Sequence, residues 1–146
     1  MFKHILIPTD GSELSQKAIK GGIELAKALG AKVTGFYAAP DVLTLFAYGE
    51  IVPYIEPSEL EEMTQKEAEG YLSVIEKEAR AAGQPVDTVW VKHSSPYIAI
   101  TEAAEKRRCD LIFMASHGRR GISAVLLGSE TTKVLTHSKI PVLVYR

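Results

Sequence analysis

The chain has 146 residues, 46% hydrophobic and 24% charged, which at this length supplies one core without a disulfide, metal or partner to hold it. Its 17 basic and 18 acidic residues leave a net charge of −1, excluding a uniformly basic nucleic-acid binder and an acidic disordered tail. That total hides a division: residues 1–73 carry 6 lysines against 11 carboxylates, whereas residues 115–146 hold five basic side chains against the single Glu130, so an anionic ligand is expected in the last stretch.

In chain order, His4-Ile5-Leu6-Ile7 is a short apolar run ended by Pro8, the pattern of a strand buried on both faces. Ser12 offers an oxygen to open a helix. Leu14, Ala18, Gly22, Leu25 and Leu29 then recur at spacings of three and four, until Gly30 stops it. Residues 32–39 read as the second strand, ended by Pro40. Residues 40–57 form a long apolar loop with Phe46, Tyr48, Ile51, Val52, Tyr54 and Ile55, a candidate contact surface. Ser58-Glu59-Leu60-Glu61 fits a capping box opening a charged helix to about Ala82, with Gly83 past its end. Val86–Lys92 alternates like a strand with one wet face, as at a sheet edge.

Ser95-Pro96 caps and starts a helix read over Tyr97–Arg108, with three basic residues at its end where they suit the helix dipole. Leu111–Ala115 is a continuous apolar run that predicts an inner strand. A glycine-bearing loop over 116–128, a short helix Ser129–His137 and a last strand Pro141–Tyr145 complete the order βαβαβαβαβ. This alternation predicts a single-domain α/β fold over residues 1–146: an open, Rossmann-like, five-stranded parallel sheet with helices on both faces. Ligands of such sheets sit beyond the carboxyl ends of the strands, where the winding reverses. Attention therefore falls on the residues after strands one, two and four. The lone Cys109 and the absence of a signal-peptide pattern lead to an expected cytoplasmic location. No apolar run approaches the roughly 18 residues of a membrane helix.

The loop after strand four has the parts of a phosphate site. Gly118 and Gly121 allow positive φ and close approach, and Gly128-Ser129 opens a helix whose free N–H groups attract an anion. On the residues alone, a glycine loop with an N-capping serine stands beside that reading. Asp10 likewise has two readings, as a ligand and as a cap of the first helix. The histidines, His4, His93, His117 and His137, show no metal spacing, and no metal bound by protein ligands alone is expected. His137 is expected to serve the end of its helix. No Gly-x-Ser-x-Gly supports a hydrolase. A phospho-accepting receiver domain fails at strand three, which ends in His93-Ser94-Ser95 without an aspartate.

Ala115-Ser116-His117-Gly118, nine further residues and then Gly128-Ser129 resemble the nucleotide motif of the universal stress protein family: Gly, two residues, Gly, nine residues, Gly, Ser or Thr. The opening Ile5–Ser12, the Asp110-Leu111-Ile112 entry to strand four and the closing Pro141–Val144 resemble that family's other marks, so the likeness spans the chain. It implies an adenine nucleotide alpha hydrolase-like fold, an ATP-binding regulatory module of the stress response, and a homodimer formed through the last strand, 142–146. It also implies no dedicated catalytic activity beyond slow ATP hydrolysis; the charge balance and the lack of a long apolar run lead to no nucleic acid and no membrane as expected partners.

Carried over residue by residue, the resemblance assigns Pro8, Thr9, Asp10 and Ala38 to adenine and ribose, with Met114 and Ala115 on the opposite wall. Gly118, Gly128, Ser129, Glu130 and Thr131 would meet the phosphates, with Mg²⁺ or Arg119 and Arg120 offsetting the Glu130 carboxylate. Ala115 departs from the motif's first glycine. A methyl group there opposes a ribose or a positive φ, at roughly 1 kcal/mol where the backbone needs one. That departure carries the alternative, a universal stress protein without nucleotide that acts through dimer and partner contacts.

Overall fold

In a computed structural model of the chain, residues 1–41, 54–119 and 127–146 are described. Most of the apolar loop 40–57, together with Arg120, Gly121 and Ser123, lies outside the described residues. Five strands form one parallel sheet: β1 (His4–Thr9), β2 (Lys32–Ala39), β3 (Val86–Lys92), β4 (Leu111–Ala115) and β5 (Val142–Tyr145). Among the described residues four helices alternate with them: α1 (Glu13–Leu29), α2 (Pro57–Ala82), α3 (Pro96–Lys106) and α4 (Ser129–His137). The strand order is β3-β2-β1-β4-β5, so β3 and β5 are the edges. The winding reverses between β1 and β4, the expected place for a crevice.

Alternation along the inner strands builds two cores. Ile5, Ile7, Val33, Leu111 and Phe113 pack with Ala18, Ile19 and Ile23 of α1 and Leu72 and Ile75 of α2 on one face. On the other, Leu6, Phe36, Ile112 and Met114 pack with Ala99 and Ile100 of α3 and Val134 of α4. Ile5, Leu6 and Ile7 are wholly buried, each contributing about 1.5–3 kcal/mol relative to exposure.

Local chemistry shifts several predicted boundaries. Ser12 caps α1, accepting from the Ser15 N–H at 3.2 Å. The α1 stripe, however, centres on Ala18, Ile19, Gly22, Ile23 and Ala26, and Leu29 is exposed. At α2 the capping box is replaced by Glu56 at the cap and Pro57 in the first turn, without a side-chain cap bond. Proline's fixed φ and missing N–H suit that position and start the helix before Ser58. Pro8 extends β1 rather than ending it. Pairing of β1 with β4 covers only Ile5 and Leu6, stopping short of Pro8, which has no N–H to extend a ladder. α3 ends at Lys106, and Arg108 adopts a left-handed φ of 56°. Among the described residues no helix is long and apolar enough to cross a membrane.

Candidate functional site

Beyond Thr9 the chain must turn from β1 into α1, and short polar side chains shape the turn. The buried Thr9 hydroxyl accepts from the Ser15 hydroxyl at 2.8 Å and the Gly11 N–H at 3.2 Å. One carboxylate oxygen of Asp10 accepts the Ser12 N–H at 3.0 Å, so the helix-supporting role of Asp10 is present. Gly11 has φ +78°, and a Cβ there would lie 2.2 Å from the Tyr71 ring, so both conformation and space demand glycine.

β4 and α4 are joined at a narrow neck. The Ser116 carbonyl accepts the Gly128 N–H at 2.7 Å, the Thr131 hydroxyl donates to the Ala115 carbonyl at 3.0 Å, and the Ser116 N–H reaches the Tyr145 carbonyl at 2.8 Å. Gly128 is the N-cap of α4, and Ser129 is its first helical residue with no side-chain cap bond. The N-capping serine of the sequence reading is thereby corrected: a glycine with extended ψ already makes the entry. A Cβ on Gly128 would lie 3.3 Å from the His117 Cα and the Ser116 carbonyl, both backbone atoms with little freedom to yield.

Gly118 does not use the left-handed φ expected of it. Its requirement is room, because a Cβ would sit 2.2 Å from a carboxylate oxygen of Asp10. That same oxygen accepts the Arg119 N–H at 2.9 Å. Asp10 therefore ties the loop after β1 to the loop after β4. Ala115, where the motif has glycine, is a strand residue without positive φ, and it belongs to the core on the α1 and α2 face. Its backbone is one that any L-residue adopts.

These segments enclose a cavity of about 350 Å³, within the size range of small-molecule sites. Pro8, Thr9 and Asp10 line it from β1 and its loop, Ala38 from β2, and Met114 and Ala115 from β4. Gly118 and Arg119 contribute from the next loop, and Gly128, Ser129, Glu130 and Thr131 from the start of α4. All the described residues singled out by the motif thus share one cavity; Arg120 lies outside the described residues. Phe36, Tyr37, His93, Ser94 and His117 also line it. His93 and Ser94 follow β3, outside the segments after strands one, two and four to which the sequence points, although a parallel edge strand ends on the same side of the sheet. His117 bonds through Nδ1 to the Ser116 hydroxyl at 3.0 Å.

Two charged groups sit differently from expectation. Glu130 accepts the Tyr97 N–H at the start of α3 at 3.0 Å and meets Lys133 at 2.9 Å. A helix N-terminus and a cation draw this carboxylate, the usual preference of an anion. The Arg119 guanidinium lies 4.8 Å from the Tyr71 ring centroid, bonds to the Tyr71 hydroxyl, reaches Glu67 at 3.3 Å and donates through Nε to the Asp10 carbonyl at 2.6 Å. Burial, then the Glu67 carboxylate, pushes the phenols of Tyr37 and Tyr71 above their ordinary value. Elsewhere, His137 Nδ1 bonds to the Lys133 carbonyl at 2.8 Å, and burial pushes the Cys109 thiol up to about 11, an unreactive state. Among the described residues no group of three or more His, Cys, Asp or Glu could hold a metal ion.

Comparison with known proteins agrees with this architecture. The model of the universal stress protein family matches residues 1–146. A universal stress protein of Methanocaldococcus jannaschii is 32% identical, covering 100% of this chain and 83% of its own length. One from Thermus aquaticus is 29% identical over the whole of both chains. Among solved structures, a second M. jannaschii family member superposes with a TM-score of 0.81 at 29% identity, covering 99% of this chain and 95% of that one. With the family model matched from end to end and the same five-stranded parallel sheet found in a solved relative, the chain belongs to the universal stress protein family.

Proposed function

We propose that the protein binds an adenine nucleotide, ATP, in the cavity at the β1–β4 crevice and serves as a cytoplasmic regulatory module of the stress response. One observation carries this reading: motif residues from four separate parts of the sequence line one cavity, at the topological switch point where parallel sheets bind ligands. Thr9, Asp10, Ala38, Met114 and Ala115 would hold adenine and ribose. Gly118, Gly128, Ser129 and Thr131 would face the phosphates, where main-chain N–H groups at the start of α4 favour an anion. The bare position of Gly118 fits this role, since a side chain there would fill the space beside Asp10. Any Mg²⁺ would arrive on the phosphate oxygens. Two proteins of the same fold, one in complex with cAMP and one from Arabidopsis thaliana with AMP bound, support an adenine ligand.

The strand β5 supports the second half of the proposal, a homodimer. It is an edge strand with Leu143 37% exposed, and an unpaired edge invites pairing with a second copy. Ala115 no longer favours the nucleotide-free alternative on backbone grounds. Mass spectrometry of the purified, undenatured protein tests the proposal: a bound mass of ATP, ADP or AMP is the expected result. A bare protein that also fails to take up added ATP would overturn it in favour of that alternative.

A further inference from the structure

Glu67 and Tyr71 stand on α2 and do not line the cavity, yet both grip a residue that does. Arg119 is held at two ends. Its main-chain N–H donates to an Asp10 carboxylate oxygen, while its side chain reaches the Asp10 carbonyl through Nε and extends to Glu67 and over the Tyr71 ring. The partners are themselves fixed: the Tyr71 hydroxyl donates to Glu67 at 3.0 Å, the Tyr71 ring meets Tyr37 edge-on at 5.1 Å, and Gly11 leaves the space that the Tyr71 ring fills. A planar guanidinium with several donors in a rigid fork suits such a many-sided clasp, which a lysine would not reproduce.

We propose that Glu67 and Tyr71 are positioning residues for the loop after β4, holding the Arg119 side chain against α2 and so keeping the Gly118–Arg119 backbone on Asp10. The inference rests on the nucleotide reading of the cavity and deepens it. Arg119 then acts through the backbone it fixes, and the charge of the ligand's phosphates is met by other groups. The sign of one substitution separates this from simple electrostatics. Removing the Glu67 charge beside a site for a polyanion raises affinity if Arg119 is a phosphate ligand restrained by Glu67. It lowers affinity if Glu67 is needed to hold the loop.

The test compares wild type, Glu67→Gln, Tyr71→Phe and Arg119→Lys by calorimetric titration with ATP, and follows hydrogen exchange at the Arg119 amide without nucleotide. The expected result is ATP binding about five- to tenfold weaker in all three variants, with faster exchange at that amide and unchanged exchange in the β1 and β4 amides. In an Arg119→Ala background, Glu67→Gln should change nothing further, because the pair acts as a unit. Tighter ATP binding by Glu67→Gln, or unaltered Arg119 exchange, would overturn the proposal. If the wild type takes up no adenine nucleotide, the nucleotide reading falls by itself. The exchange arm then decides the clasp: faster exchange in Glu67→Gln supports it and unaltered exchange refutes it.

Discussion

Two aspartates make the same kind of clasp at opposite ends of the β1–β4 pair, with different results. At the amino end, Asp110 accepts the Lys3 N–H at 2.9 and 3.0 Å and the His4 N–H at 2.9 Å, and its own N–H returns a bond to the His4 carbonyl at 2.9 Å. There the device draws two strand starts together. At the carboxyl end, Asp10 accepts the Ser12 and Arg119 N–H groups at 3.0 and 2.9 Å, joining two loops beyond the point where β1 and β4 cease to pair. One clasp closes a seam and the other frames a cavity. Glycines make the difference: Gly11, Gly118 and Gly128 at the carboxyl end each stand where a Cβ would meet a neighbour at 3.3 Å or less.

Among changes to the two clasps, the larger effect should follow from breaking the one at the carboxyl end. Asp10→Ala removes the acceptor of Ser12 and Arg119 together, and ATP affinity is expected to fall at least about tenfold in calorimetry, since both loops against the ligand lose the group that holds them in place. The matching change at the amino end should act on stability alone. Asp110→Ala is expected to lower unfolding free energy by about 1 kcal/mol in urea titration at neutral pH, with ATP affinity unchanged.

The pH dependence of that loss follows from charge. Burial works to raise the Asp110 carboxyl, but the His4 and Lys3 N–H groups outweigh it and hold the pKa below its ordinary value of 3.8. A lowered carboxyl pKa contributes stability that is complete above the unfolded value and disappears as pH falls through the folded one. The stability gap between wild type and Asp110→Ala should therefore be constant at neutral pH and narrow below 3.8. A gap that persists undiminished well below it would contradict this role.

Arg108 supplies the smallest test. α1 and α2 end with Gly30 and Gly83 in the left-handed conformation, each followed by the paired backbone bonds of a helix-terminating motif. α3 ends in the same bonding pattern with Arg108 in the glycine position. Arg108→Gly should raise stability by about 0.5–1 kcal/mol without touching ligand affinity, because glycine bears no Cβ penalty there. Thermal unfolding measures it.

Much of the fold was legible because the inner strands β1, β2 and β4 are largely buried on both faces, Pro40 closes β2, and the helices are punctuated by Ser12, Gly30 and Gly83. The boundaries that failed depend on context: Pro8 is accommodated where pairing with β4 has already stopped, and Pro57 starts α2 ahead of Ser58. The spacing from Ala115 to Gly128 identified residues that line one cavity, but the roles of individual charges were hidden. Sequence placed a positive excess near the motif. The fold sets Arg119 on Glu67, Lys133 on Glu130 and Lys139 3.9 Å from Glu105, exposed pairs worth about 0–1 kcal/mol each. Their partners lie 52, 3 and 34 residues away along the chain, so the two long pairings could not be read from local pattern.

The proposed nucleotide site is the glycine-lined end of the β1–β4 pair. Titration of ATP into nucleotide-free wild type and Gly118→Val, with circular dichroism to confirm that both are folded, tests it most directly. Saturable binding at one ATP per chain is expected in the wild type and none in the folded variant, whose side chain would press on Asp10. Equal binding by the two proteins, or no binding by either, would contradict it.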